Sequence, residues 1–190
     1  MKSMQAGIFL MLALLVSGLA NAQSANNMKT VMVGGAAMYP SKNIIENAIN
    51  SNDHTTLVAA VKAAGLVETL QSAGPFTVFA PTNAAFGKLP KGTVETLLKV
   101  ENKNMLSAVL TYHVVAGKIS ATELVEKIKT GGGKASLTTV QGGQLTAMLK
   151  GKNVVITDEK GGMSTVTIAD VNQSNGVIHV IDTVLLPKGE

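Results

Sequence analysis

The chain has 190 residues with 16 basic and 12 acidic side chains, a net charge of +4, no cysteine, no tryptophan, two tyrosines and four phenylalanines. Without cysteine there are no disulfides and no thiol for a lipid, so stability must come from an ordinary hydrophobic core. A weak basic excess scattered along the chain, with few aromatics, offers neither the clustered positive face nor the stacking platform that nucleic-acid binding uses, and no aromatic surface for carbohydrate.

The N-terminus reads as an export signal at residues 1–22. Lys2 supplies the positive charge, Ile8 to Val16 the apolar run, and Ala20-Asn21-Ala22 the small-residue cleavage site. That run is shorter than the roughly 20 apolar residues of a membrane helix, and no later segment approaches that length. The expectation is an exported chain, periplasmic or extracellular, with no membrane span. Cleavage after Ala22 leaves 168 residues with a net charge of +3, enough for one domain. The tail "LLPKGE" has no hydrophobic end of the lipid-anchor type, so the mature chain is expected to be untethered.

Residues 23–42 are polar and small, with Gly34-Gly35 and Tyr39-Pro40 as breakers, and read as a flexible linker. The domain is expected over residues 43–187, with 188–190 as a tail. Asn43 can cap a short helix through Ala48, and Asp53 or Thr55 can cap the next, in which Leu57, Val61 and Ala64 mark one buried face before Gly65 interrupts it. "GPFTVFAP" reads as a strand closed by Pro81, after which Thr82 caps a short helix containing Phe86. Thr93 to Lys99, Glu101 to about Thr111, and Ala121 to Ile128 are further helices. Beyond Gly131-Gly132-Gly133 the helical period gives way to alternation. "KASLTTV", "QLTAMLK", "NVVITD", "STVTIADV" and "GVIHVIDTVLL" read as strands. Helices first and strands afterwards predict an α+β fold.

No catalytic constellation is visible. If the helix from Glu101 runs to His113, then Leu106, Val109, Leu110 and His113 share a face and His113 points inward. If a strand has begun by Tyr112, the adjacent Tyr112 and His113 face opposite sides of the sheet. In both geometries the two are expected to be core or near-core, hydrogen-bonded through their polar tips. His179 and Asp182, three apart in a strand, lie on opposite faces, and the apolar residues around His179 suit a central strand. His54, in a polar cap region, is expected to be solvated, as are Asp158 and Glu159 in their hairpin turn. Three isolated histidines give no metal signature. There is no G-x-S-x-G, and "KTGGGK" lacks the spacing and ending of a phosphate loop. Neither metal nor cofactor is expected, and the chain reads as a non-enzyme.

Three stretches, in order, resemble the fasciclin (FAS1) family: "TVFAPTNAAF" at Thr77 to Phe86, "LTYHVV" at Leu110 to Val115, and "NGVIHVIDTVLLP" at Asn175 to Pro187. The resemblance extends from about Asn43 to Pro187, and is strongest to bacterial secreted members with a single domain. It implies a wedge-like β-sandwich with helices packed on one side, and a non-catalytic module for adhesion or protein–protein contact whose partner is a cell-surface or matrix protein. In animal members the Tyr-His region and an Asp-Ile segment before the last motif are associated with receptor binding. The matching positions here, Tyr112-His113 and Asp170-Val171, are the binding residues the resemblance implies. Ile168-Ala169 stands where animal sequences favour Glu-Pro, and Asn172 where they favour Met. A different reading is a periplasmic carrier or sensor of a small apolar ligand, to which the methionine content gives some support.

Overall fold

The computed structural model describes residues 29–189, and the export signal expected at 1–22 lies outside them. Part of the expected linker is ordered structure instead. Residues 31–38 form a hairpin of β1 (Val31–Val33) and β2 (Ala36–Met38). Gly34 and Gly35 both have positive φ, 57° and 77°, as the two central positions of a hairpin turn of this hand require. Alternation along these three-residue strands carries Val33 and Met38 into the core.

Asn43 opens α1 (Ile44–Ala48) with a reciprocal cap: its side chain accepts from Glu46 N–H at 2.9 Å, and its own N–H donates to Glu46 Oε2 at 2.8 Å. α2 (Thr55–Ala64) buries Leu57, Val61 and Ala64 as its spacing predicts, and ends at Gly65 in the left-handed region. Neither Asp53 nor Thr55 caps it. Asn83 does so from a distance, accepting from Thr56 N–H at 2.9 Å and donating to the Asn52 carbonyl at 2.8 Å. There follow α3 (Val67–Gln71), β3 (Phe76–Pro81), α4 (Asn83–Gly87) with its Thr82 cap, α5 (Thr93–Leu97), α6 (Lys103–Tyr112), β4 (Val114–Ala116) and α7 (Ala121–Thr130). The chain then runs as β5 (Lys134–Thr138), β6 (Gln144–Lys150), β7 (Asn153–Thr157), β8 (Met163–Gln173) and β9 (Gly176–Ile181).

The main sheet has the order β4-β3-β9-β8-β7-β6-β5. β9 lies inside it, parallel to β3 and antiparallel to β8, and all six of its residues are buried. Alternation on these strands divides the interior. Val78, Ala80, Ile178 and Val180 face a core built from α1 to α6 and the hairpin. Phe79 and Ile181 face a second core with Leu145, Ala147 and Ile156. α1 to α6 thus form the layer of several helices on one side of the sheet that the resemblance implied, and α7 packs on the second core through Leu124 and Ile128.

β8 joins the two halves. Residues 163–165 pair with β7, whereas 166–173 pair with β9 through two irregularities of register. Extra residues at such bulges bend a strand and turn a sheet corner. At the far ends, Val115 of β4 bridges Thr139 just after β5, bringing the two outer strands of the sheet together.

Asn175 fastens the helical layer to the β8–β9 turn. Its Oδ1 accepts from Ile44 N–H at 3.1 Å, and its Nδ2 donates to the Leu70 and Ser72 carbonyls at 2.8 and 2.9 Å. Asn175→Ala strands an N–H and two carbonyls, and is expected to cost about 2–4 kcal/mol. Urea unfolding checks this, an unchanged midpoint counting against the assigned role.

Candidate functional site

Tyr112 ends α6, yet its ring enters the second core while Leu106, Val109 and Leu110 of the same helix face the first. It is 0% exposed. The hydroxyl donates to the Gln144 carbonyl at 2.8 Å and accepts from Glu159 N–H at 3.1 Å. Burial pushes the phenol up to about 12, against the opposing pull of the Glu159 backbone, so the hydroxyl keeps its proton and acts as a cross-link.

His113 follows as the C-cap of α6 and points inward, as the helical geometry predicts. Leu185 N–H donates to Nε2 at 3.0 Å, which puts the ring proton on Nδ1, donated to the Val109 carbonyl at 2.8 Å. Burial pushes the imidazole down to about 4, only partly offset by the Val109 bond. The ring is therefore neutral, with both nitrogens engaged. His179 on β9 repeats the pattern. Its Nδ1 accepts from Asp170 N–H at 3.3 Å, its Nε2–H donates to the Ile119 carbonyl at 2.9 Å, and burial lowers its pKa.

Asp170 lies within the second register shift of β8, between Ile168 and Val171, and is the only non-glycine residue with positive φ among those described, at 56°. This turns its carboxylate onto the start of α7, where Oδ1 accepts from Ala121 N–H at 2.7 Å. The side chain is partly exposed, whereas the neighbouring Val171 is buried in the first core.

The motifs thus interlock. The His113 carbonyl accepts from Phe79 N–H at 2.9 Å, the Phe79 ring stacks on His179 with centroids 5.7 Å apart, and His179 receives the Asp170 amide. Tyr112 and His113 are adjacent in sequence but occupied with different partners. Contact with another protein through the side chains of Tyr112, His113 or Val171 would require the domain to open. Asp170 alone of the four has accessible surface.

Two expectations of solvation are corrected. His54 is 3% exposed, held under the β1–β2 hairpin and α2, with Nδ1 2.9 Å from Ser51 Oγ. Burial lowers its pKa, opposed by the nearby Ala80 carbonyl and Asp53, and Nε2 makes no hydrogen bond. Asp158 is also buried. Oδ1 accepts from Lys160 and Gly162 N–H at 3.0 and 2.7 Å, and Oδ2 from Leu186 N–H at 3.0 Å. Glu159 accepts from Gln144 and Lys188 N–H. These carboxylates tie the turn to the chain's last segment. An Asp three residues before a Gly-Gly pair, Asp158 before Gly161-Gly162, is the sequence signal for such a side-chain-stabilised turn. Among the described residues no group of three or more His, Asp or Glu is placed to hold a metal ion.

Beside His54 lies an apolar cavity of about 70 Å³, enclosed by the hairpin, α1 to α3 and the face of β3 and β9.

A bent mixed sheet, a helical layer on one face and three motifs locked across β3 and β9 define the FAS1 class of α+β domain. The fasciclin domain family model matches residues 52–187, and the chain belongs to that family. It is 49% identical over 168 residues to Protein sll1483 of Synechocystis sp., covering 88% of this chain and 86% of the relative. It is 35% identical over 175 residues to Immunogenic protein MPB70 of Mycobacterium bovis, covering 90% of this chain and 80% of the relative. Transforming growth factor-beta-induced protein ig-h3 of Sus scrofa is 37% identical over 153 residues, covering 78% of this chain and 20% of that larger protein. Among solved structures, a FAS1 domain pair from the insect cell adhesion molecule Fasciclin I superposes with a TM-score of 0.68 at 20% identity. That match covers 76% of this chain and 51% of the insect chain. No helix among the described residues is long and apolar enough to cross a membrane.

Proposed function

We propose that this protein is an exported, non-catalytic fasciclin module that acts by contact with a protein of a cell surface or of the surrounding matrix. The observation carrying this reading is that the polar groups of Tyr112, His113 and His179 are all spent on internal hydrogen bonds, which leaves those motifs no free acid, base or nucleophile. Asp170 is then the accessible member of the contact surface, and Tyr112, His113 and Val171 hold it in place. A lone module binds weakly unless several copies are presented, so clustering on a surface favours detection.

The test coats a surface with residues 23–190 and counts attached producer cells, with the soluble protein as competitor. Saturable attachment abolished by the competitor is expected. Asp170→Asn keeps an oxygen for Ala121 and tolerates positive φ, but removes the charge. It is expected to reduce attachment with an unchanged thermal melt. Attachment no greater than on a blocked surface would sink the direct-contact reading.

A further inference from the structure

Asn175 is followed by Gly176, the one Asn-Gly pair in the chain. In such a pair the glycine nitrogen can attack the amide carbon of the preceding side chain, because a residue without a Cβ leaves that approach least hindered. The fold nevertheless requires both members. Asn175, 7% exposed, ties Ile44, Leu70 and Ser72 to the β8–β9 turn. Gly176 lies in register with Phe76 of β3, and a Cβ there would strike the Phe76 carbonyl. Replacing either residue removes the reactive pair only by removing the tether or the close approach. The same contacts hold the pair apart. Ring closure needs the Asn175 amide carbon to swing onto the Gly176 nitrogen, which would break all three of its side-chain hydrogen bonds. The backbone is fixed as well: the Asn175 carbonyl accepts from Phe76 N–H at 3.0 Å, and Gly176 is paired with Gln173 in the sheet.

We propose that Asn175 is a site of spontaneous deamidation that the folded domain protects and unfolding exposes, so that a domain left open loses the residue it needs to close. In the open chain the Gly176 nitrogen gives its proton to solvent base and bonds to Asn175 Cγ, closing a succinimide ring. The Cγ–Nδ2 bond breaks, and that nitrogen leaves with the electron pair and a proton from water as ammonia. Water then adds to one of the two ring carbonyls, and the ring opens to aspartate or isoaspartate. Neither product replaces the tether. An aspartate presents only acceptor oxygens where the Leu70 and Ser72 carbonyls need a donor. An isoaspartate routes the main chain through its side-chain carbon, lengthening the backbone at the entry to β9, whose six residues are all buried. Unfolding thus becomes irreversible with time, because the open state is chemically altered before it refolds. The site is separate from Asp170, and its test does not depend on attachment of cells.

The purified protein is incubated in mildly alkaline buffer with and without urea, and its tryptic peptide 161–188 is followed by mass spectrometry for conversion of Asn to aspartate or isoaspartate. Asn172, followed by Gln173 in the same peptide, is the internal reference. In urea Asn175 is expected to convert well before Asn172, whereas in native buffer it persists long after the unfolded sample is half converted. On dilution from urea, the fraction that regains the native circular dichroism is expected to fall in step with conversion. Gly176→Ala is expected to slow conversion in urea, where folding plays no part and only the reactivity of the pair is read. Tyr112→Phe, altered in the other core, is expected to raise the native-buffer rate about tenfold through a larger opened fraction. Asn175 converting in native buffer as fast as in urea, converting no faster than Asn172 in urea, or keeping its native-buffer rate in Tyr112→Phe would each overturn the assignment. So would converted protein that refolds with the urea midpoint of the parent.

Discussion

Tyr112→Ala is expected to lower the stability of the domain by about 3–5 kcal/mol, the range for removing a buried aromatic. The ring has no exposed surface and packs in the second core with Phe79, Leu124 and Leu145. Its fit extends to the backbone: a Cβ on Gly143 would stand 2.8 Å from Tyr112 Cε2, so the ring occupies the space a side chain there would take. Truncation leaves a void and also strands the Gln144 carbonyl and the Glu159 N–H. Tyr112→Phe separates the two losses, and is expected to cost about 1–3 kcal/mol for the stranded groups alone. Urea unfolding of the three proteins checks both values, and a Tyr112→Ala midpoint equal to that of the parent would refute the buried cross-link. Domains of this size have a total stability of about 5–15 kcal/mol, so reduced attachment in Tyr112→Ala reports unfolding unless the melt is measured beside it.

Acidification is expected to destabilise the domain between about pH 6.5 and pH 4, before most carboxylates titrate. The folded-state pKa of His113 lies at about 4 against 6.5 for the free side chain, because burial penalises the cation. The unfolded chain therefore binds the proton first, and stability that is full above pH 6.5 falls as the pH approaches 4. At about 1.4 kcal/mol per pKa unit this amounts to about 3 kcal/mol from His113. His54 and His179 are shifted the same way by burial and add to the slope. Asp182 acts lower. Burial alone would raise its pKa, but hydrogen bonds from Thr165, Thr183 and Ser164 and the nearby Lys88 outweigh that and hold it below the ordinary carboxylate value of 3.8. Its contribution is lost only under still more acid conditions. His113→Gln is expected to be less stable at pH 7.5, since Leu185 N–H and the Val109 carbonyl lose their partner, but to show a flatter decline to pH 4.5. Parallel declines in the two proteins would mean that His113 is not the group that charges.

Local chemistry was legible where cause and effect lie within a few residues. The Asn43 and Thr82 caps, the buried face of Leu57, Val61 and Ala64, and the inward turn of His113 all follow from short spacings. The Asn83 cap of α2 was not legible, because it comes from 27 residues away. The bulges of β8 were hidden for a similar reason: an extra residue is defined only against a partner strand, and the left-handed turn that aims Asp170 at α7 exists only in that pairing. The hairpin at 31–38 escaped because its strands are too short to display alternation beside two glycines. His54 was misread since its polar neighbours Asn52 and Asp53 suggest a surface, whereas its burial depends on packing around α2 and the hairpin. At the candidate site, the Tyr-His motif identified a family but not the division of its two rings between partners.

The passage of β8 from one half of the sheet to the other bears on how the molecule comes apart. One end of this strand is paired over the second core and the other over the first, while Tyr112 carries α6 from the first core into the second. Neither half can be released while the other keeps its strand, so sub-global opening is confined to peripheral pieces such as the β1–β2 hairpin. The inner amides of β8 and β9 then exchange with solvent only through loss of the whole domain, and the two cores share one cooperative fate.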